Sequence, residues 1–387
     1  MAPNKQRLSF YSYDSLGNPW LSGGGAVRDF EILKRQRASW DSITVWTGYY
    51  PGFKEEVREG IRYRSLGFGG SYVVSRLAFT FFANLRVLIE TADAIGNSIS
   101  AYAPLLAGLL RPDRFYLVGH HYIGERSKEK YSLLGPVAWL AEWTLFRFCR
   151  SLIVLNGKVA ARARAMNPRA HILQSQNGFD AALLRIVPEE IDPPFILFLG
   201  RFDIYMKGLD KLVEAYGKIR PDLRARVRLV LAGIASPKAL AAVESLLAGD
   251  PEGKLADRIE LIPNVPEEKK RELLRTCLFY CGPSRFEGWG IAALEANAAG
   301  KPVLVTRTDG FLDSIKDGYS GIMVAIDATQ ELIDGMEKLI EAADLRHRMG
   351  KDAREWASRF TWESIAQREW QWLHGLEAGT DPKLRRP

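Results

Sequence analysis

Short apolar runs alternate with amphipathic segments along most of the chain, and this alternation predicts a parallel α/β protein. The first predicted elements are a strand at Leu8–Tyr13, a glycine loop at Ser22–Ala26, a helix at Val27–Ser39 and a strand at Ile43–Thr47. A strand, a helix and a second strand in this order begin a parallel sheet. The other elements predicted in this half are strands at Phe115–Val118 and Leu152–Leu155 and helices at Leu140–Arg150 and Val159–Met166.

The pattern breaks at Ile186–Pro194, an acidic and proline-rich segment without an apolar period. We predict a domain boundary there, with one domain at residues 1–189 and another at residues 190–361. In the second domain strands and helices alternate again, which is typical of a doubly wound parallel sheet. The predicted strands are Phe195–Gly200, Val227–Ala232, Ile259–Ile262, Leu278–Cys281 and Pro302–Val305, and the predicted helices are Gly208–Ile219, Pro237–Leu247, Glu267–Cys277 and Ile291–Ala299. We expect the aromatic, helical end of the chain, residues 362–387, to pack back on the first domain.

Two glutamates eight residues apart flank a glycine-rich turn in the second domain. Glu287 precedes Gly288 and Gly290, a helix begins around Gly290, and Glu295 lies within that helix. Exposed N–H groups at a helix N-terminus bind anions, so a diphosphate fits there. Because eight helical residues rise ~12 Å, the carboxylates suit the two ends of one extended ligand, such as a ribose and a sugar ring. Two solvated glutamates beside a glycine turn are the alternative.

A basic loop follows the strand predicted at Phe195–Gly200. Arg201 offers a planar guanidinium and Lys207 a mobile ammonium, and both groups suit phosphate oxygens. Two cations in a loop are common on any protein surface, so this loop indicates a site only in combination with the segment around Glu287.

In combination, the two segments resemble glycosyltransferase family 4, the retaining transferases of the GT-B fold. The family's E-x7-E pattern is present as Glu287 and Glu295, and its G-R…K-G-x-D pattern is present as Gly200, Arg201, Lys207, Gly208 and Asp210. Weaker similarities are the Ser22–Ala26 loop, the segment Asn177–Asp180 and the segment Phe360–Glu363. The resemblance implies two Rossmann-like doubly wound domains that face each other across a cleft, the first binding the acceptor and the second binding the donor.

The resemblance also implies a role for each matching residue. Arg201 and Lys207 neutralise the phosphates of a nucleotide sugar, such as a UDP- or GDP-sugar, while Glu295 binds its ribose. Glu287 is the catalytic carboxylate beside the transferred sugar. The implied donor-binding residues are Arg201, Lys207, Glu295, Gly288, Trp289 and Gly290, joined from the facing domain by Gly24 and Gly25.

A histidine of the acceptor domain completes the site in this family. The strand predicted at Phe115–Val118 leads into His120 and His121, and we expect His120 to be catalytic, although the doublet leaves the alignment open by one residue. A histidine that completes a loop hydrogen bond is the alternative. Residues Asp309–Asp313 depart from the family's G-G-x-P-E pattern, so the identity of the sugar stays open.

The sequence contains no D-x-D triplet, the motif that holds a divalent ion in metal-dependent transferases of the other major fold. We therefore expect no metal and no cofactor, because Arg201, Lys207 and the helix N-terminus would stabilise the leaving nucleoside diphosphate. The resemblance implies attack on the face that the leaving group vacates, with retention of configuration. The expected reaction is hexosyl transfer to a glycan, lipid-linked or small-molecule acceptor in polysaccharide or glycoconjugate biosynthesis.

The charge is unevenly distributed along the chain. Residues 1–190 hold 24 Lys and Arg against 16 Asp and Glu, a net charge of +8, whereas residues 191–387 hold 29 against 30, a net charge of −1. The basic half suits an anionic acceptor or an anionic lipid surface; a dispersed, solvated charge is the alternative. The aromatic and arginine-rich stretches Ile61–Val87 and Tyr131–Arg150 are typical of interfacial helices, although a core-facing helix is the favoured interpretation of Tyr131–Arg150.

Several classes of protein are excluded or disfavoured. Cys149, Cys277 and Cys281 match neither a disulfide framework nor zinc-ligand spacing and are expected to be buried thiols. No apolar stretch reaches the ~18 residues of a membrane span, which predicts a cytoplasmic protein, peripheral at the inner membrane face if it meets lipid, and no nucleic-acid partner is expected. The alternatives to a transferase are a nucleotide-sugar-binding regulatory protein without turnover and an epimerase or phosphorylase of the GT-B fold.

Overall fold

The computed structural model describes residues 6–20, 23–99, 103–120, 122–124, 135–249, 255 and 257–377. The chain divides into two α/β units, one of Met1–Asn177 with Trp362–Pro387 and the other of Gly178–Thr361. The division falls at residues 177/178 rather than at the predicted 189/190. Residues 178–189 belong to the second unit because Phe179 and Leu183 are buried and the short 3₁₀ helix Ala181–Arg185 packs on a helix of that unit.

The first unit is a parallel sheet with helices on both faces. Its described elements are strands β1 Arg7–Tyr11, β2 Ser42–Gly48, β3 Glu56–Arg58, β4 Ile61–Leu66, β5 Ala94–Ser98, β6 Phe115–Gly119, β7 Ser151–Val154 and β8 His171–Gln174, and helices α1 Gly24–Gln36, α2 Tyr72–Leu88, α3 Ala107–Leu110, α4 Gly135–Phe148 and α5 Gly157–Met166, with the helix Trp362–Glu377 near the chain's end. The strand order is β3-β4-β2-β1-β5-β6-β7-β8. β3 pairs antiparallel with β4, and the other described neighbours pair parallel.

The two faces of this sheet are covered by different helices because successive residues of a strand point to opposite sides. Leu8 and Phe10 of β1 pack in a cluster with Leu33 of α1. Tyr11 of β1 packs in another cluster with Phe79 of α2 and with residues of α4 and α5. The core of the first unit therefore lies on both sides of the sheet.

The second unit is a smaller parallel sheet of the same kind. Its described elements are strands β9 Phe195–Leu199, β10 Arg228–Gly233, β11 Ile259–Pro263, β12 Phe279–Gly282, β13 Val303–Thr306 and β14 Gly321–Val324, and helices α6 Ile204–Lys207, α7 Leu209–Lys218, α8 Pro221–Arg226, α9 Pro237–Ala248, α10 Glu267–Thr276, α11 Ile291–Ala298, α12 Asp309–Ser314, α13 Thr329–Glu341 and α14 Ala343–Ala357. We label the helix Trp362–Glu377 α15. The strand order is β11-β10-β9-β12-β13-β14.

The strand order of the second unit reverses at β9. The chain moves from β9 outward to β10 and β11 on one side, and then to β12, β13 and β14 on the other. Ligands of open parallel sheets bind beyond the carboxyl ends of the strands at such a switch point. We therefore expect a ligand site at the loops that follow β9 and β12.

Helix α15 packs against α1 of the first unit. Arg28 forms a buried ion pair with Glu369, whose carboxylate also accepts a hydrogen bond from Oγ of Ser175 at 2.5 Å. The ring of Trp370 meets the ring of Trp40 edge-on at 5.0 Å. The aromatic period at the end of the sequence thus belongs to a helix that is buried on the first unit.

The predicted elements of the second domain agree with the structure to within one residue at each end. In the first unit α1 begins at Gly24 rather than at Val27, so the glycines form its first turn. The stretch Ile61–Val87 is a strand, β4, followed by helix α2 rather than one interfacial helix. The three cysteines are buried and form no disulfide, as predicted. Ser22, His121 and residues 131–134, on which other predictions fall, lie outside the described residues.

Candidate functional site

A capped helical turn and a glycine shape the loop after β9. The carboxylate of Asp203 accepts a hydrogen bond from the backbone N–H of Met206 at 2.9 Å and so caps α6. Gly208 ends α6 with a φ of 65°, and a Cβ at this residue would lie 2.0 Å from the carbonyl oxygen of Pro283. Glycine alone fits both requirements. This close approach places Lys207 directly against the loop that follows β12.

Arg285 links the loop after β12 to the start of α7. Its guanidinium donates hydrogen bonds to the carboxylate of Asp210 at 2.8 and 2.7 Å and to Asp327 at 2.7 Å. Burial raises the pKa of Asp210, but the hydrogen bonds and charge of Arg285 outweigh burial and hold that pKa below its ordinary value. Because a bidentate pair fixes both partners, the spacing of the two loops is set by this contact.

Lys207 and Glu287 meet between the two loops. Nζ of Lys207 lies 2.6 Å from Oε2 of Glu287, and the side chains are 19% and 16% exposed. The backbone carbonyl of Glu287 accepts a hydrogen bond from the N–H of Gly310 at 3.1 Å, which ties this loop to α12. Both side chains keep some exposure, so an entering anion can reach the lysine and compete with the glutamate for it.

The glycine-rich turn after Glu287 ends at the N-terminus of α11. Gly290 is the N-cap residue, and no side chain among the described residues caps the helix. The first N–H groups of a helix lack intrahelical acceptors, and this end carries partial positive charge. A Cβ at Gly288 would have no described heavy atom within 4 Å, so the turn is open to a ligand at this residue.

Trp289 anchors this turn in the core. The residue is 2% exposed, and its ring lies 5.7 Å from that of Phe360. The indole is therefore turned away from solvent and packs in the interior of the unit.

Glu295 pairs with Lys270, a cation that lies outside both motifs. Its Oε1 lies 2.9 Å from Nζ of Lys270, which also lies 2.9 Å from a carboxylate oxygen of Glu267. Burial raises the pKa of Glu295, and the positive charge of Lys270 offsets this only in part. A carboxylate held in this way keeps acceptor capacity for a pair of hydroxyl groups.

Four charged residues are predicted to contact the nucleotide sugar: Arg201, Lys207, Glu287 and Glu295. Of these, only Lys207 and Glu287 contact each other directly. Arg201 is exposed after β9 and forms no ion pair with any described residue. Lys270 and Arg285 are missing from the prediction for different reasons. Lys270 stands in a charged run that is typical of a solvated helix face, whereas Arg285 lies within the glycine-rich segment, where an arginine signals a carboxylate partner.

In the first unit His120 lies beside the glycine loop. Gly24 and Gly25 begin α1, and a Cβ at Gly25 would lie 3.4 Å from Nε2 of His120. The same nitrogen lies 2.7 Å from Oγ of Ser98 and 3.7 Å from Oδ1 of Asp29. The three residues predicted for this unit, Gly24, Gly25 and His120, are therefore neighbours, and Asp29 and Ser98 hold the histidine.

Asp29 is a buried carboxyl group on the second turn of α1. Its Oδ2 accepts a hydrogen bond from Oγ of Ser12 at 3.1 Å. Burial raises the pKa of Asp29 to about 7, although the charge of Arg28 lowers it in part. Asp29 therefore changes its protonation near neutral pH, next to His120.

Replacing Asp29 with asparagine should flatten the pH dependence of stability. In the folded protein Asp29 keeps its proton up to about pH 7, whereas a solvated aspartate loses it near about pH 4. The folded state binds more protons between these values, so the free energy of unfolding falls as the pH rises. Asp29→Asn should remove a decrease on the order of 4 kcal/mol over this range.

Urea unfolding at a series of pH values measures this effect. Asp41→Asn, which removes an exposed carboxylate, is the matched control and should keep the wild-type decrease. A wild-type pH dependence in Asp29→Asn would show that the carboxyl group ionises as it does in solvent.

Part of the chain matches a known family. Residues 183–356 match the family model described as Glycosyl transferases group 1. The chain is also similar to the D-inositol 3-phosphate glycosyltransferase of Nocardia farcinica, with 29% identity over 242 residues, which is 59% of this chain and 52% of that protein. The chain thus spans about half the length of this curated relative.

Solved structures match nearly the whole chain. Sucrose-phosphate synthase from Thermosynechococcus elongatus superposes with a TM-score of 0.78 at 19% identity, covering 97% of this chain and 100% of that one. HepE of Anabaena in complex with UDP-glucose superposes with a TM-score of 0.72 at 19% identity, covering 96% of this chain and 100% of that one. Identity at this level shows the fold alone. The two units thus form the GT-B fold, and residues 183–356 are similar to the glycosyl transferases of group 1.

Proposed function

We propose that the protein is a retaining, metal-independent glycosyltransferase of family 4 that uses a nucleotide-diphosphate sugar. One observation carries this proposal: the ammonium of Lys207 and the carboxylate of Glu287 lie 2.6 Å apart, on loops that follow the adjacent strands β9 and β12. A cation for a phosphate and an acceptor for sugar hydroxyls are thereby side by side at the sheet's switch point.

The donor is proposed to lie along the loops after β9 and β12. Glu295 binds the ribose, while Lys207, Arg201 and the N-terminus of α11 bind the diphosphate. Glu287 and the backbone of residues 288–290 bind the sugar. UDP-glucose is the first donor to test, because HepE, which shares the fold, is in complex with it; GDP-sugars follow.

The reaction then needs no group beyond these residues. The bond from the sugar's C1 to the diphosphate breaks, and the cations and the helix N-terminus stabilise the leaving nucleoside diphosphate. The acceptor hydroxyl attacks C1 on the face that the diphosphate vacates, and its proton passes to a phosphate oxygen of the leaving group. His120, held by Ser98 and Asp29, is the catalytic residue proposed from the first unit.

We propose a hydroxyl acceptor that is a glycan, a lipid-linked saccharide or a small molecule, with the enzyme acting in the cytoplasm. D-Inositol 3-phosphate belongs in the acceptor panel, because it is the compound in the name of the Nocardia relative.

The test begins with a thermal-shift screen of UDP- and GDP-sugars and continues with nucleoside diphosphate release on adding each acceptor. Release should depend on the acceptor and persist in excess EDTA, and NMR should show the donor's anomeric configuration in the product. Three outcomes overturn the proposal: donor binding without transfer or hydrolysis indicates a regulatory protein, conversion of the donor without acceptor indicates an epimerase, and transfer to inorganic phosphate indicates a phosphorylase.

A further inference from the structure

Helix α2 of the first unit has an apolar side that faces solvent. Its buried side includes Phe79, Ala83 and Val87, which pack in the core of the unit. The opposite side is also apolar, at positions that recur every three to four residues: Val73, Val74, Leu77, Phe81, Leu85 and Leu88. Leu77 is 53% and Phe81 60% exposed. A helix with two apolar sides is expected to have a partner on each of them.

The exposed side of α2 continues onto α3. The backbone N–H of Leu106, just before α3, donates to Oδ1 of Asn84 on α2 at 3.1 Å, and Arg111, just after α3, donates to the carbonyl of Leu88 at 3.4 Å. Leu106, Leu109 and Leu110 are exposed beside α2. We call the following exposed residues the α2–α3 face: Phe68, Val73, Val74, Leu77, Phe81, Leu85, Leu88, Ile89, Leu106, Leu109 and Leu110. Exposed apolar patches of this extent mark interaction sites.

The charged residues within the segments of this face are all arginines, and two of them, Arg64 and Arg86, pair with Glu55 and Glu90 outside these segments. Residues 61–89 and 103–112, which contain the whole face, include five arginines and no Asp, Glu or Lys. The arginines are Arg62, Arg64, Arg76, Arg86 and Arg111. A partner that covers the face should therefore be apolar and bear negative charge.

We infer that the α2–α3 face binds the surface of an anionic lipid bilayer. Leucine and phenylalanine side chains on one side of a helix enter the boundary between headgroups and acyl chains, and arginines contact lipid phosphates. None of the described helices combines the length and apolar composition of a membrane-spanning segment, so α2 would lie along the surface. A second copy of the chain is a poorer partner, because a twofold contact through this face would bring arginines together.

This inference is independent of the donor site. No residue of the α2–α3 face is among those proposed to bind the nucleotide sugar, so donor binding and vesicle binding are measured separately. A negative result for vesicle binding does not contradict the proposed donor site, and a negative result for donor binding does not contradict the inference.

Vesicle flotation tests the inference with the full-length protein. We expect binding to vesicles of phosphatidylcholine mixed with phosphatidylglycerol, weaker binding to phosphatidylcholine alone, and a loss of binding at high salt. The double variant Leu77→Glu/Phe81→Glu should reduce partition onto the mixed vesicles at least tenfold. Val187→Glu, at a residue of the second unit that is 76% exposed, is the matched control and should float as the wild type does.

Thermal unfolding and donor-dependent thermal shift establish that the double variant is folded, and a single variant, Leu77→Glu, serves if it is not. Absence of flotation by the wild type, or undiminished flotation of a folded variant, overturns the inference. Light scattering tests the alternative partner, a second copy of the chain. A wild-type dimer that the variant converts to a monomer, with no vesicle binding by either, would identify the face as a subunit interface and would also overturn the inference.

Discussion

Glu287→Gln is expected to lower kcat by about 100-fold or more, a loss of about 2.7 kcal/mol in transition-state stabilisation. Glutamine keeps the size and one hydrogen-bond acceptor of Glu287 but loses the negative charge. That charge stabilises the positive charge that develops on a sugar ring during glycosyl transfer. Affinity for the nucleoside diphosphate should hold, because Glu287 is proposed to bind the sugar, and removal of its charge leaves Lys207 to the phosphates.

Initial rates at saturating donor measure this effect, and calorimetric titration with the nucleoside diphosphate measures affinity separately. Glu268→Gln, on the exposed side of α10, is the matched control and should keep the wild-type kcat. An unchanged kcat in Glu287→Gln would contradict the role of Glu287. An equal loss of kcat in Glu268→Gln would show that the effect comes from the change in the protein's net charge.

The second sheet could be predicted closely because its strands are continuous apolar runs. Every residue of β9 is buried, and the sequence Phe195–Leu199 consists of Phe, Ile and Leu. β5 is different: Ala94–Ser98 is also fully buried but contains Ala, Gly, Asn and Ser, which are weak strand formers. A Cβ at Gly96 would lie 2.4 Å from the ring of Phe10 and 2.6 Å from that of Tyr116. Side chains of the two neighbouring strands require a small residue here, and those strands are distant from β5 in the sequence.

The charged residues of the candidate site could be predicted better than their partners. Glu287 and Glu295 stand out by their spacing, but the lysine that each contacts depends on strand order. β12 lies beside β9, so Glu287 meets Lys207, while Glu295 meets Lys270 from the preceding helix α10. These partners are 80 and 25 residues away in sequence. Pairing at such separations is set by tertiary structure, which a motif does not encode.

The exposed side of α2 could not be assigned from its sequence for a related reason. An apolar period in a helix indicates that a side is covered, but it does not say by what. In α2 one apolar side is covered by the sheet and the other by none of the residues that the structure describes, and only the fractional exposure of side chains such as Phe81 separates them.

Lys207→Ala should weaken donor binding by about tenfold to a hundredfold, the effect of losing a charge-assisted hydrogen bond of about 1.5–3 kcal/mol. The structure favours the upper end of this range. Without Lys207 the carboxylate of Glu287 loses its ion-pair partner in a mostly buried position, where it repels an incoming diphosphate. The loss therefore has two parts, a missing attraction and an added repulsion.

A double-mutant cycle separates these two parts. If Glu287 repels the donor once Lys207 is gone, Lys207→Ala/Glu287→Gln should bind the nucleoside diphosphate more tightly than Lys207→Ala alone, although more weakly than the wild type. Lys211→Ala is the matched control, because Lys211 also pairs with a glutamate, Glu214, at 2.7 Å on the adjacent helix α7. Equal dissociation constants of the nucleoside diphosphate for the wild type and Lys207→Ala would show that the diphosphate does not bind at Lys207. The proposed donor site, which depends on this contact, would then be wrong.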